Sequence, residues 1–297
     1  MDMIQRYKVA EHLFEVKMAE DSFLWTRMDE PYGPFKIEGE CGECLFSLTV
    51  CEEVVIGDAK LVYSNKDSVD PGYIVLSAYK DEQNYYFEFI QPGSDKINGY
   101  LAISLDYKKA SLSLVGSEIE QWFTFNTGVN FCFLLSTAQS NTVLVHASCV
   151  AYKDKAWLFL GKSGTGKSTH SRMWLAALTG SLLLNDDHPV IRITDGNVIA
   201  YGSPWSGKTR CYKNMQFPVG GIIRIVRAPY NKAQRLSIIG SYASLMPSCS
   251  GMIWEKDLAD GRDRTIQGII SAVPCYTMEC LPNEDAAKVC SQAVMEV

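Results

Sequence analysis

The sequence predicts a two-domain α/β protein, with a mainly antiparallel β domain over residues 1–125 and a P-loop α/β domain over residues 126–297. Three observations predict it. The N-terminal part reads as short strands punctuated by turn residues. Residues 161–168 read Gly-Lys-Ser-Gly-Thr-Gly-Lys-Ser between an apolar strand and a helix-forming stretch, which is the phosphate-binding pattern G-x-x-x-x-G-K-[ST]. One helix and one turn later, a second apolar strand ends in Asp186-Asp187.

In the first domain strands are expected at 44–50, 60–63, 73–78, 85–90, 100–105 and 111–115, with turns at Asp70-Pro71-Gly72 and Gln91-Pro92-Gly93. Residues 85–90, Tyr-Tyr-Phe-Glu-Phe-Ile, alternate clearly. That describes an antiparallel sheet or sandwich. Such a domain could recognise an acceptor, cap an active site or mediate homo-oligomerisation. Cys41-Gly42-Glu43-Cys44 is a cysteine pair with only Cys51 nearby. A zinc site would want a second pair, and a redox motif would want a βαβ context.

The second domain is expected to open with a helix over 128–138. A strand over 143–150 carries His146 and turns at 152–155 into the apolar strand 156–160. Such a hairpin would put His146 beside the phosphate loop, either as an active-site group or as a structural histidine. In the loop, Gly161, Gly164 and Gly166 allow the backbone to curl its N–H groups inward, and the following helix N-terminus adds partial positive charge. Lys162, Ser163, Thr165 and Thr169 complete the expected nucleotide contacts. Lys167 can reach the β- and γ-phosphates, and the Ser168 hydroxyl can bind Mg²⁺. Two adjacent aspartates can divide the tasks of holding metal and accepting a proton.

The same pattern recurs at 202–209, Gly-Ser-Pro-Trp-Ser-Gly-Lys-Thr. A strand at 198–201 precedes it, but the segment 210–217 is too short before Pro218 to be a good helix, and Pro204 and Trp205 stiffen and crowd the loop. Without a helix N-terminus the anion cradle loses half its basis. Residues 202–213 therefore read as a basic loop with Ser206, Lys208, Arg210 and Lys213, either closing over phosphates or a substrate, or simply solvated. A buried strand over 219–226 comes next; Arg224, Arg227 and Lys232 near its end read as surface charge in preference to phosphate contacts. A helix over 258–272, a strand over 275–281 and a helix running from 282–285 to 295 complete the chain.

Composition bounds the rest. Hydrophobic residues make up 47% and charged residues 21% of the 297, which fits a globular protein with room for two cores. A net charge of −6 argues against a nucleic-acid binder relying on phosphate attraction. No apolar run is long enough for a membrane helix, and the N-terminus lacks the apolar core of a signal peptide. Ten scattered cysteines beside nucleotide machinery fit free thiols in a reducing cytoplasm.

Taken together, the His146 strand, the 156–168 strand and loop, and the strand ending in Asp186-Asp187 resemble the catalytic domain of HPr kinase/phosphorylase. More distantly they resemble the nucleotide domain of phosphoenolpyruvate carboxykinase, which also favours a Gly-x-Ser-Gly-x-Gly-Lys spelling. The resemblance covers roughly residues 126–297. It implies a P-loop kinase fold of that type, with Lys167 and Ser168 on phosphate and metal, Asp186 as general base, Asp187 on the metal side and His146 in the active site. Thr169-His170 stands where that family usually carries a glutamate, and its signature segment beyond the Asp-Asp strand is absent here. The expectation is a Mg-ATP-dependent phosphotransferase acting on a hydroxyl, a protein or peptide serine first. The alternatives are a small-molecule or carboxykinase-like P-loop kinase, or a non-catalytic nucleotide sensor.

Overall fold

A computed structural model describes residues 1–39, 42–67 and 74–295; Cys41, the Asp70-Pro71-Gly72 turn and Tyr73 lie outside the described residues. The chain is a mixed α/β protein that divides into two units, Met1–Thr137 and Ala138–Val297. Each is built on a large mixed sheet, nine-stranded among the described residues.

In the first unit β1 (Asp2–Val9) and β2 (His12–Ala19) form a hairpin. Its two turn residues, Ala10 and Glu11, both take positive φ, as a twist-matched two-residue turn requires. Helix α1 (Phe23–Tyr32) is capped by Ser22 and leads to β3 (Lys36–Ile37). Then come β4 (Phe46–Val50), β5 (Lys60–Ser64), β6 (Val75–Lys80), β7 (Asn84–Ile90), β8 (Gly99–Ser104) and β9 (Lys109–Leu114). The sheet order is β3-β1-β2-β4-β9-β8-β7-β6-β5. The expected antiparallel pairing holds from β5 through β9, but β4 runs parallel to both β2 and β9. The long connections through α1 and through β5–β8 permit this, since parallel neighbours need a crossover rather than a hairpin.

Helix α2 (Glu118–Thr137) crosses this sheet and buries Phe125, Val129, Cys132 and Phe133. It starts earlier than the expected 128–138 because Glu120 caps its first turn, as in one arm of a capping box: the Ser117 N–H and hydroxyl both donate to the Glu120 carboxylate, at 2.8 and 2.7 Å. The helix belongs to the first unit, so it closes that unit rather than opening the second, and residue 125 falls within it.

The second unit comprises β10 (Thr142–Leu144), β11 (Ala147–Tyr152), β12 (Lys155–Leu160), α3 (Lys167–Ala177), β13 (Leu182–Asn185), β14 (Val190–Thr194) and β15 (Asn197–Tyr201). These are followed by β16 (Gln216–Arg227), β17 (Lys232–Arg235), α4 (Ile238–Leu245), α5 (Lys256–Ala272), β18 (Cys275–Cys280) and α6 (Glu284–Met295). The strand order is β10-β14-β15-β16-β12-β11-β13, with β18 also paired to β16 and β17. Among the described residues only β12–β16 and β16–β18 are parallel. Alternate residues of β12 feed opposite cores. Leu158 and Leu160 join Leu184, Ile222, Ile266 and Ile269, whereas Trp157 and Phe159 join Trp174, Ile223 and Met278.

The strand expected at 143–150 is broken at His146. Val145 bridges to Cys249 and the His146 N–H donates to the Ser248 carbonyl at 2.7 Å, so the chain leaves β14 on one side of the break and joins β12 and β13 on the other.

Gly261 of α5 lies against the chain at Ala138: a Cβ there would stand 2.4 Å from the Ala138 carbonyl oxygen. Gly261→Ala should therefore destabilise the protein by about 1–3 kcal/mol, the reverse of the ~1 kcal/mol gain alanine brings to a free helix. The urea midpoint reads this; a midpoint at or above wild type would refute the close approach.

Candidate functional site

The loop between β12 and α3 is shaped by its glycines. Gly164 and Gly166 take φ of 75° and 118°, a region that side chains disfavour. Gly166 is also the N-cap of α3, so no side-chain oxygen competes for the first N–H groups of the helix. The Thr165 N–H and hydroxyl both donate to the Lys162 carbonyl, at 3.1 and 2.7 Å. Lys162, Ser163 and Gly164 are exposed at the tip. Thr169 lies one position beyond Ser168 and accepts from Arg172 Nη2 at 3.3 Å.

Lys167 folds back under the loop, only 9% exposed. Its Nζ donates to the Gly161 carbonyl at 3.0 Å and meets His146 Nε2 at 3.1 Å. Burial lowers the Lys167 pKa against the raising influence of Asp187 and Asp186. Burial, with Lys167 alongside, lowers that of His146 to about 4. The imidazole is therefore neutral at pH 7 and Nε2 accepts from the ammonium, which puts its proton on Nδ1. The 3.5 Å approach of His146 Nε2 to Asp187 Oδ1 is accordingly no ion pair at neutral pH. His188, stacked on His146 at 5.8 Å, donates from Nδ1 to Asp187 Oδ2 at 3.1 Å. Burial pushes the Asp187 carboxyl up, but the hydrogen bond from His188 and the nearby Lys167 charge outweigh it and hold it below the usual carboxylate range.

Asp186 points differently. Its Oδ1 accepts from Ser148 Oγ at 2.6 Å, and Ser148 is bonded to Ser171 of α3 at 2.6 Å. Its Oδ2 accepts from Thr209 Oγ1 at 2.5 Å. The second pattern match therefore reaches the site, though as a loop: no helix comes after it, and the chain runs through irregular structure into β16. Gly207 lies against Asp187, where an added Cβ would sit 3.2 Å from the carboxylate carbon. Ser206 Oγ donates to the Thr209 carbonyl at 2.7 Å, while Lys208 and Arg210 are exposed on either side of Thr209. Lys213 Nζ lies 3.7 Å from Cys211 Sγ.

Three further residues of this region have roles that the sequence does not announce. Asn185 is fully buried. Its Oδ1 accepts from the Asp187 and His188 N–H groups, both at 2.9 Å, and its Nδ2 donates to Ser203 Oγ at 3.0 Å. It thus sets the turn that presents both aspartates and ties the 202–213 loop to it; the available signal is an Asn at a strand end next to acids. Ser148 carries no signal beyond that of an ordinary strand serine. Arg227, expected as surface charge, donates to the Gly164 carbonyl and, at 3.3 Å, to the Thr165 carbonyl. These bonds tie the loop to the end of β16. Arg224 instead bonds Ser244.

The donor set suits a hard cation: the Ser168 hydroxyl and the Asp187 carboxylate are oxygen donors of the kind Mg²⁺ takes alongside phosphate oxygens and water. Among the described residues, no group of three or more His, Cys, Asp and Glu could hold a metal by itself. No protein-family model and no curated protein matches the chain.

His170, one turn into α3, is buried against Phe159 and accepts from Trp174 Nε1 at 3.2 Å. Burial lowers its pKa to about 4. A histidine depressed in the folded state binds its proton first when unfolded, so stability is full above about pH 6.5 and falls as pH drops toward 4. His146 adds in the same sense. The denaturant midpoint should therefore fall steeply from pH 6.5 to 4.5, and His170→Gln should flatten that fall by up to ~1.4 kcal/mol per pH unit. Parallel profiles for the two proteins would show that His170 titrates normally.

Proposed function

We propose that the protein is a Mg-ATP-dependent phosphotransferase of P-loop kinase type that moves a γ-phosphoryl group to a hydroxyl, a protein or peptide serine being the favoured acceptor. One observation carries the reading. A glycine-shaped loop at a helix N-terminus brings its buried lysine into the field of two adjacent aspartates, and one of these already receives a hydroxyl at 2.5 Å. That is the arrangement phosphoryl transfer needs, because its catalysis is mostly positioning and charge neutralisation.

On this reading the loop N–H groups and Lys167 bind the β- and γ-phosphates. Lys167 exchanges its contact with the neutral His146 for the anion, keeping that to the Gly161 carbonyl, and His146 adds no competing charge beside it. Ser168 and Asp187 would hold Mg²⁺, which when bound neutralises charge on the phosphates. Asp186 orients the acceptor hydroxyl and takes its proton at Oδ2. Lys208 and Arg210 lie where they could meet the acceptor. Among the described residues seven buried cysteines carry free thiols, which fits a reducing cytoplasm, and no helix is long and apolar enough to cross a membrane.

Two measurements test this. Calorimetric titration with a non-hydrolysable ATP analogue should show binding that Lys167→Ala abolishes and Lys208→Ala changes only a few-fold; the reverse pattern would move the nucleotide to the second loop. A Mg²⁺ titration of binding and turnover should separate the aspartates. Asp186→Asn should bind Mg-ATP near normally and lose ~10²–10⁴ in rate, whereas Asp187→Asn should raise the Mg²⁺ requirement. Full activity in both variants would remove this strand end from the reaction.

A further inference from the structure

The hydroxyl on Asp186 belongs to the chain itself. Thr209 Oγ1 donates to Asp186 Oδ2 from the tip of the 202–213 loop, and its residue is exposed although the carboxylate it touches is buried. The base of that loop is fixed: the Gly202 N–H donates to Met215, and Ser203 Oγ donates to the His188 carbonyl at 2.6 Å. The tip, Gly207–Thr209, lies across the two aspartates that flank Lys167.

We propose that Thr209 is a phosphoryl acceptor in cis, so that the protein phosphorylates its own 202–213 loop from a bound Mg–nucleoside triphosphate. The inference rests on the phosphotransferase reading above. In the step, Thr209 Oγ1 forms a bond to the γ-phosphorus as the bond from that phosphorus to the β,γ-bridging oxygen breaks. The hydroxyl proton passes to Asp186 Oδ2, and the nucleoside diphosphate leaves with the bond's electron pair. Other nearby hydroxyls are spoken for. Ser148 and Ser171 are buried and bonded to each other, Ser203 is buried under the loop, and Ser206 donates to the Thr209 carbonyl. Once formed, the phosphorylated side chain is repelled by Asp186 and Asp187, and Lys208 and Arg210, its neighbours in sequence, offer it cations. The loop then leaves the carboxylates and exposes them to an external acceptor.

The test is incubation of the whole protein with Mg-ATP, followed by intact mass and peptide mapping, with analogue binding measured in parallel. One phosphoryl group per chain should appear on Thr209, at a rate independent of protein concentration. Thr209→Val should abolish it, Thr209→Ser should retain it, and Asp186→Asn should slow it at least ~10²-fold; unchanged melting temperatures show that the variants fold. Nucleotide binding without phosphate on Thr209 overturns this inference and leaves the phosphotransferase reading standing. Absence of nucleotide binding by the wild type overturns both. Phosphate on another residue, or a rate that rises with protein concentration, also overturns acceptance in cis.

Discussion

A buried ammonium is the constraint on which the second unit turns. Removing a lysine charge from water is costly unless hydrogen bonds and opposite charge replace the solvent. Lys167 obtains both, from the Gly161 carbonyl, from His146 Nε2 and from the field of Asp186 and Asp187. The arrangement works only while His146 is neutral, because a protonated imidazole would set two cations 3.1 Å apart. The dryness that lowers the His146 pKa is thus what lets the lysine stay. The break in the strand at His146 serves the same end, freeing the residue from the ladder so that its ring can face the loop.

The aspartates are divided by what surrounds them rather than by their position in sequence. Asp187 faces two histidines, of which His146 is neutral, and the charge of the lysine. Asp186 faces two hydroxyls, and is a hydrogen-bond acceptor among donors. Asn185 enforces the split, since its single side chain fixes the turn on one side and the second loop on the other. Arg227 plays a comparable part for the glycine loop, from the end of the strand that runs parallel to β12.

The glycine loop at 161–166 and the aspartate pair are legible in the sequence because glycine spacing and strand-end acids are local signals. The strand–loop–helix order around 161–168 comes directly from an apolar run, glycines and a helix-forming stretch. Other features are hidden by the kind of information they need. The hairpin β1–β2 carries a plain alternation at His12, Phe14, Val16 and Met18, all buried, but its turn, Ala10-Glu11, has neither glycine nor asparagine to mark it. Parallel pairing of β4 with β2 and β9 depends on crossovers that no local pattern records. The role of Arg227 depends on register between β12 and β16, and the contact of Thr209 with Asp186 depends on where a loop folds back; spacing along the chain reports neither. The Asn185 hub is a single polar residue whose meaning lies in hydrogen-bonding groups brought from elsewhere.

The parallel alignment of β12 with β16 has a kinetic side. Between these neighbours the chain must first lay down α3, β13, β14 and β15, so the support beneath the glycine loop closes through contacts distant in sequence, the kind that slow folding. The glycine-rich segment emerges from the ribosome well before the strand and arginine that brace it. A nascent chain halted after β15 would contain the whole glycine-rich motif and both aspartates, yet its loop would still lack the Arg227 contacts and its aspartates the Thr209 contact. The motif is early information; the contacts that brace it come late.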